Sequence, residues 1–151
     1  MQLQSESNPS LNTVTAYEQG MIAVNAVAYR HAVWFAPQGA VQSLPVTDIG
    51  QITPAMLKQM AGVPNVAVDP LAFLEAAESA VPVLSDDVAQ QAAQIVLIGT
   101  GARQRFLPTA LLQTLTRLGI GVETMSTPAA ARTYNILMME GRRVVAVLLP
   151  L

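Results

Sequence analysis

Two short apolar runs constrain this chain most, Ile95-Val-Leu-Ile98 and Val144 to Leu149. Neither alternates apolar with polar residues, so each must be covered on both faces, as a strand inside a parallel sheet is. Between the runs the period changes. Leu111, Leu112, Leu115 and Leu118 recur at helical spacing within a helix read from Pro108 to Arg117, and Gly119 stops it. A strand at Ile120 to Thr124 follows, then a helix from about Thr127 to Met139, then a last strand from Arg143 to Leu149. This β-α-β-α-β series predicts an α/β domain with right-handed crossovers and a mainly parallel sheet.

The N-terminal part reads differently. Residues 1 to 12 are polar and broken by Asn8-Pro9, which predicts a disordered tail. Gly20 to Val24 and Val27 to Phe35 read as two strands joined by a tight turn at Asn25, an antiparallel hairpin packed beside the parallel sheet. On the second strand Val27, Tyr29, His31 and Val33 share one face, and Ala28, Arg30, Ala32 and Trp34 the other. Val41 to Val46 supplies a third, short antiparallel strand. From 48 to 94 an enlarged helical connection is expected, with helices at 54 to 61 (Thr53 cap, Pro54 at the first turn), at Pro70 to Ser79, and at Ser85-Asp-Asp. Residues 13 to 151 then form a single domain, long enough to bury roughly 70% of its unfolded surface.

Cysteine is absent, which removes disulfides, thiolate nucleophiles and zinc–thiolate sites. The only His, His31, leaves imidazole metal clusters and Ser-His-Asp triads without enough members, and it reads as a residue on a half-exposed sheet face. No metal or cofactor is expected. The N-terminus lacks the basic and apolar regions of a secretory signal, and no run approaches the ~20 residues of a membrane span, so a cytoplasmic location is the default expectation. Apolar residues make up 52% of the chain and charged residues 12%, a composition that predicts association with another protein or with itself.

A net charge of −2 argues against a nucleic-acid partner but hides a division. Up to residue 90, eight acidic residues face Arg30 and Lys58, a net of −6; beyond it, six Arg face Glu123 and Glu140, a net of +4. Arg suits bidentate grip on carboxylate or phosphate, although complementarity between two halves of one fold explains the same pattern.

In open α/β sheets ligands settle at the carboxyl ends of the strands. The loop Gly99 to Phe106 offers Gly99, Thr100 and Gly101 flanked by Arg103, and the next such loop offers Thr127 as a cap at a positive helix end. Arg132, Tyr134 and Asn135 then lie on an otherwise apolar helix, where burial requires that something nearby satisfy them. Together these eight residues make a candidate anion pocket. The dinucleotide fingerprint fails at Gln104, where a third Gly belongs, and no phosphate-loop Gly-Lys-Ser/Thr occurs. Plain turn chemistry and a structural Arg132, satisfied by strand carbonyls or by Glu140, explain the same residues. Glu140 with Arg142 or Arg143 reads as a surface pair. The only carboxylates available as a general base are Glu123 and Glu140, so no catalytic residue is assigned.

Four stretches carry a resemblance: Ile98-Gly-Thr-Gly101, Gly119-Ile-Gly-Val-Glu123 through Thr127, Ala130 through Leu137, and Glu140-Gly-Arg142 to Pro150. They are similar to the Mth938-like domain family, a group of largely unknown function that includes mitochondrial respiratory complex I assembly factor 3 and an adipogenesis-associated protein. The resemblance implies a compact layered β/β/α domain without established catalysis, whose mitochondrial members act by binding partners during assembly. Ser126 stands where the family commonly has an acid, and Ala131 where it often has Cys, which weakens an acid or thiol role for the pocket. The missing presequence points to a bacterial setting. The expected function is therefore a non-catalytic protein-binding or assembly-factor-like domain. The rival is a small-molecule binding protein or enzyme that takes an anionic ligand at the Gly-Thr-Gly loop.

Overall fold

The computed structural model describes residues 10–64 and 84–151. Among the described residues twelve strands and α-helices follow one another: β1 (Val14–Glu18), β2 (Met21–Val24), β3 (Val27–Tyr29), β4 (Val33–Phe35), β5 (Gln42–Ser43), α1 (Pro54–Ala61), α2 (Asp86–Gln91), β6 (Ile95–Gly99), α3 (Thr109–Thr116), β7 (Gly121–Met125), α4 (Thr127–Met139) and β8 (Val144–Leu148). They form a three-stranded sheet in the order β1-β2-β3 and a five-stranded sheet in the order β5-β4-β8-β6-β7. The larger sheet is mixed: β6 runs parallel to both β7 and β8, while β4 is antiparallel to β8 and to β5.

β6 and β8 are buried along almost their whole length because the sheet is covered on both sides. Val96, Ile98, Val145 and Val147 face a core shared with Leu57 and Met60 of α1 and Leu115 of α3. Leu97, Val144, Ala146 and Leu148 face the opposite core, shared with α4 and the small sheet. Burial of each such side chain stabilises the fold by roughly 1.5–3 kcal/mol, so these two layers outweigh any surface ion pair. From β6 the chain crosses to β7 on one side and then returns past β6 to β8. Two crossovers of one hand that run in opposite directions put their helices on opposite faces, where α3 and α4 are found.

The hairpin turn falls at Asn25-Ala26, both at positive φ (53° and 65°), the backbone a two-residue hairpin needs. The expected long strand from Val27 to Phe35 is instead two strands in different sheets, broken at Arg30 to Ala32: β3 pairs with β2, and β4 pairs with β8. The alternation holds from Ala32 onward, since Val33 and Phe35 enter one core while Ala32 and Trp34 face the other. Val27 and His31, read as sharing the Val33 face, are instead exposed. A strand not foreseen, β1, precedes them and pairs with β2 through a bulge between Val14 and Ala16.

Asn12, just ahead of β1, is tied into the fold. Asn12 is buried, and all of its polar groups are bonded: its N–H donates to Pro37 O, its Nδ2 to Ala36 O and Gly39 O, its Oδ1 accepts from Asn25 Nδ2, and its carbonyl accepts from Tyr134 Oη. Of the enlarged connection, α1 is capped by Thr53 and stopped by Gly62 at φ 76°, and α2 is in place. The expected helix at 70 to 79 lies outside the described residues.

Candidate functional site

Gly99 ends β6 in direct contact with the start of α4. A Cβ there would lie 2.9 Å from the Thr127 Cα, its Oγ1 and Leu148 Cδ2, so only Gly lets the strand end approach the helix. Gly101, at φ 97°, turns the chain away beside Pro150. The helix begins here because Ser126 Oγ accepts from Ala129 N–H, with Thr127-Pro128 in the first turn. Ser126, not Thr127, is therefore the cap. Thr127 instead turns its hydroxyl inward: Oγ1 donates to Leu149 O at 2.5 Å and accepts from Gly101 N–H at 2.9 Å, and the Thr127 N–H donates to Gly101 O at 2.8 Å.

Thr100 is a second hub. Its N–H donates to Met125 O; its Oγ1 lies 2.5 Å from Arg103 O and 3.1 Å from Met125 O as a donor, and accepts from Arg105 N–H. Gln104 Nε2 donates to Thr124 O. The place where the chain leaves β6 for one face and β7 for the other is where a doubly wound sheet leaves a crevice. Here that crevice is bridged by the protein's own hydrogen bonds, with the N–H groups of Thr100 and Gly101 both directed at protein acceptors.

The helix side chains go elsewhere. Tyr134 Oη donates to Asn12 O at 2.8 Å, and its ring meets Phe35 edge-on at 4.9 Å between centroids. Asn135 Oδ1 accepts from Val14 N–H at 3.0 Å while its Nδ2 donates to Val14 O at 2.9 Å, so the carboxamide pairs with β1 as a neighbouring strand would. Arg132 is exposed and donates from Nη1 to Tyr17 Oη at 2.8 Å. Seven of the eight predicted residues thus fall into two groups, with Arg103 outside both. Gly99, Thr100, Gly101 and Thr127 join the ends of β6, β7 and β8, whereas Arg132, Tyr134 and Asn135 fasten the strand β1 to α4. The sequence could not reveal this second group's purpose, because β1 was not recognised as an element.

Arg103 is exposed, with no side-chain partner among the described residues. Arg105 instead pairs with Asp48, an ion pair across the sheet's rim that holds the Asp48 carboxyl below its ordinary range, helped by the Gly50 N–H. Burial pushes the Tyr134 phenol well above its usual value. Glu140 makes no ion pair among the described residues, and Arg143 departs from the expected pairing: its Nε and Nη2 donate to Ala92 O and Ala89 O at the end of α2. His31 Nδ1 contacts Ala32 O and Ser43 Oγ. Among the described residues no group of three or more metal-ligating side chains gathers, and no helix is long and apolar enough to cross a membrane.

The profile of a family described as a protein of unknown function (DUF498/DUF598) matches residues 14–149. The chain belongs to this family. A DUF498/DUF598 chain of this length has a well-matched solved relative: a Bordetella pertussis protein described as a Mth938-like domain superimposes with a TM-score of 0.73 at 48% identity, over 99% of this chain and 92% of that one. An uncharacterized Rhodobacter capsulatus protein is 51% identical over 57 residues, 38% of this chain and 46% of that protein. Human NADH dehydrogenase [ubiquinone] 1 alpha subcomplex assembly factor 3 is 44% identical over 57 residues, 38% of this chain and 31% of that protein. Each of these last two matches spans less than half of the relative's own length. The Mth938-like α/β fold expected from the sequence is the fold observed.

Proposed function

We propose that this domain is a non-catalytic binding module that works as an assembly factor does, by holding another protein or a second copy of itself through apolar surface. The observation that carries this reading is the outer row of α4, where Ile136 and Met139 are 59% and 57% exposed one turn apart on a well-anchored helix. Phe106, 80% exposed, adds a third large apolar side chain on the loop after β6. Rigid presentation favours binding because little side-chain and backbone order remains to be lost on contact. Likeness to a protein named as an assembly factor supports the same reading. The groups that would have to do chemistry at the strand ends are already engaged with one another.

The test is affinity capture at moderate salt with the wild-type chain and with Ile136→Glu/Met139→Glu. A reproducible partner lost in the double variant, or a concentration-dependent dimer lost likewise, is expected, because apolar burial is little affected by screening. A monomer in sizing experiments that captures nothing reproducible sinks the proposal.

A second reading rests on Arg103, whose side chain, close in sequence to the Gly99–Gly101 loop, has no partner among the described residues. A small anion held by the Arg103 guanidinium would survive in native mass spectrometry of the purified protein and disappear in Arg103→Ala.

A further inference from the structure

The opposite end of the five-stranded sheet is built differently. Where β4 ends and β8 begins, a cavity of about 530 Å³ opens between the two cores, its apolar wall including Trp34, Met60, Met138 and Val145. That volume lies within the ~300–1,000 Å³ range of small-molecule sites. Its polar lining has one sign of charge. Arg142 and Arg143 border it together with Gln38, Gln59 and Gln91, and neither Asp nor Glu is among the described residues that line it. The two arginines are not equivalent. Arg143 is committed to the end of α2 through Ala89 O and Ala92 O, whereas Arg142 is exposed and its side chain has no partner among the described residues. An apolar wall of this size with one uncommitted guanidinium at its rim suits a ligand with a hydrocarbon body and a single carboxylate.

We propose that this cavity binds an amphipathic monocarboxylate of medium chain length, its hydrocarbon against Trp34, Met60 and Met138 and its carboxylate on Arg142. The site is separate from the Gly99–Thr127 junction and does not depend on the binding role of α4. One residue makes it directly testable. Trp34 is the only Trp of the chain, so all indole emission comes from this one side chain. It also borders a smaller cavity beside Gln42, Leu44 and Met56, and amide shift mapping separates the two.

Decanoate, kept below its micelle concentration, should change Trp34 fluorescence saturably, and 1-decanol should bind at least about tenfold more weakly. Arg142→Ala, a change at an exposed position, should weaken decanoate by about tenfold or more and erase its preference over the alcohol, the loss of roughly one charged hydrogen-bonded contact. Ala36→Phe, which sets a bulky ring in the cavity lining, should abolish the response, with circular dichroism confirming the fold. Amide chemical-shift mapping of the wild-type protein should centre the perturbation on Trp34, Met60 and Val145. No saturable binding, equal affinity for acid and alcohol, or shifts centred on Thr100 and Thr127 would each overturn the assignment.

Discussion

The two ends of the five-stranded sheet solve opposite problems. At the carboxyl ends of the parallel strands, where α/β domains usually leave room for ligands, Gly99, Thr100, Gly101 and Thr127 close the gap with hydrogen bonds of the chain to itself. At the amino end of β8, small and flexible side chains leave about 530 Å³ unfilled. A conventional location in the fold therefore does not by itself mark a site. What matters is whether the donors there are already spent, and among the described residues no buried side-chain polar atom lacks a partner.

The strongest challenge to that contrast is Thr127→Val. It keeps the side chain's shape but leaves the Gly101 N–H and the Leu149 carbonyl without their partner, so a loss of about 2–5 kcal/mol in urea denaturation is expected. A loss below about 1 kcal/mol would mean the junction is not closed as described. Gly99→Ala should follow at about 1–3 kcal/mol, because the new methyl group meets the Thr127 backbone, which cannot swing aside as a side-chain tip would.

Tyr134→Phe tests the seam between the ends and should cost about 1–2 kcal/mol at neutral pH by orphaning Asn12 O. It carries a pH signature. The phenol's pKa is raised in the folded protein, so the stability it contributes is fully present below its unfolded value of 10.0 and falls as pH rises above that. Wild-type protein should lose stability in that alkaline window more steeply than Tyr134→Phe. At the open end, Arg142→Ala should change stability by less than about 0.5 kcal/mol, since among the described residues the exposed side chain has no hydrogen bond or ion pair to lose. The smallest effect belongs to Asp48→Asn. The Asp48 pKa is lowered below 3.8, so its contribution is present above that value and fades as pH falls through the depressed one. The variant should flatten only this acid limb, and added salt should mask the difference.

Much of this fold was legible from local chemistry. The buried runs gave β6 and β8, the Thr53-Pro54 and Gly62 signals bounded α1, and the helix read from Thr127 to Met139 is α4 as found. The candidate site was legible only as a set of residue types. Gly-Thr-Gly was rightly placed at the end of a strand, but whether its N–H groups face an anion or a neighbouring chain segment depends on Met125 and Thr127, which approach from 25 and 26 residues away. Asn135 and Tyr134 were visibly out of place on an apolar helix, yet their partners, Val14 and Asn12, lie more than 120 residues earlier in a stretch with too little pattern to be recognised as structured.

By itself, then, the sequence determined the buried strands β6 and β8, the helices α1 and α4, and which positions must be buried or satisfied, because hydrophobic period, caps and breakers act over a few residues. Tertiary structure decided that Val27 to Phe35 divides between two sheets, that Thr127 serves three strand ends, and that the open volume lies at the end opposite the glycines. Those outcomes depend on hydrogen-bond partners and on shape brought together across the whole chain, and no local pattern encodes them.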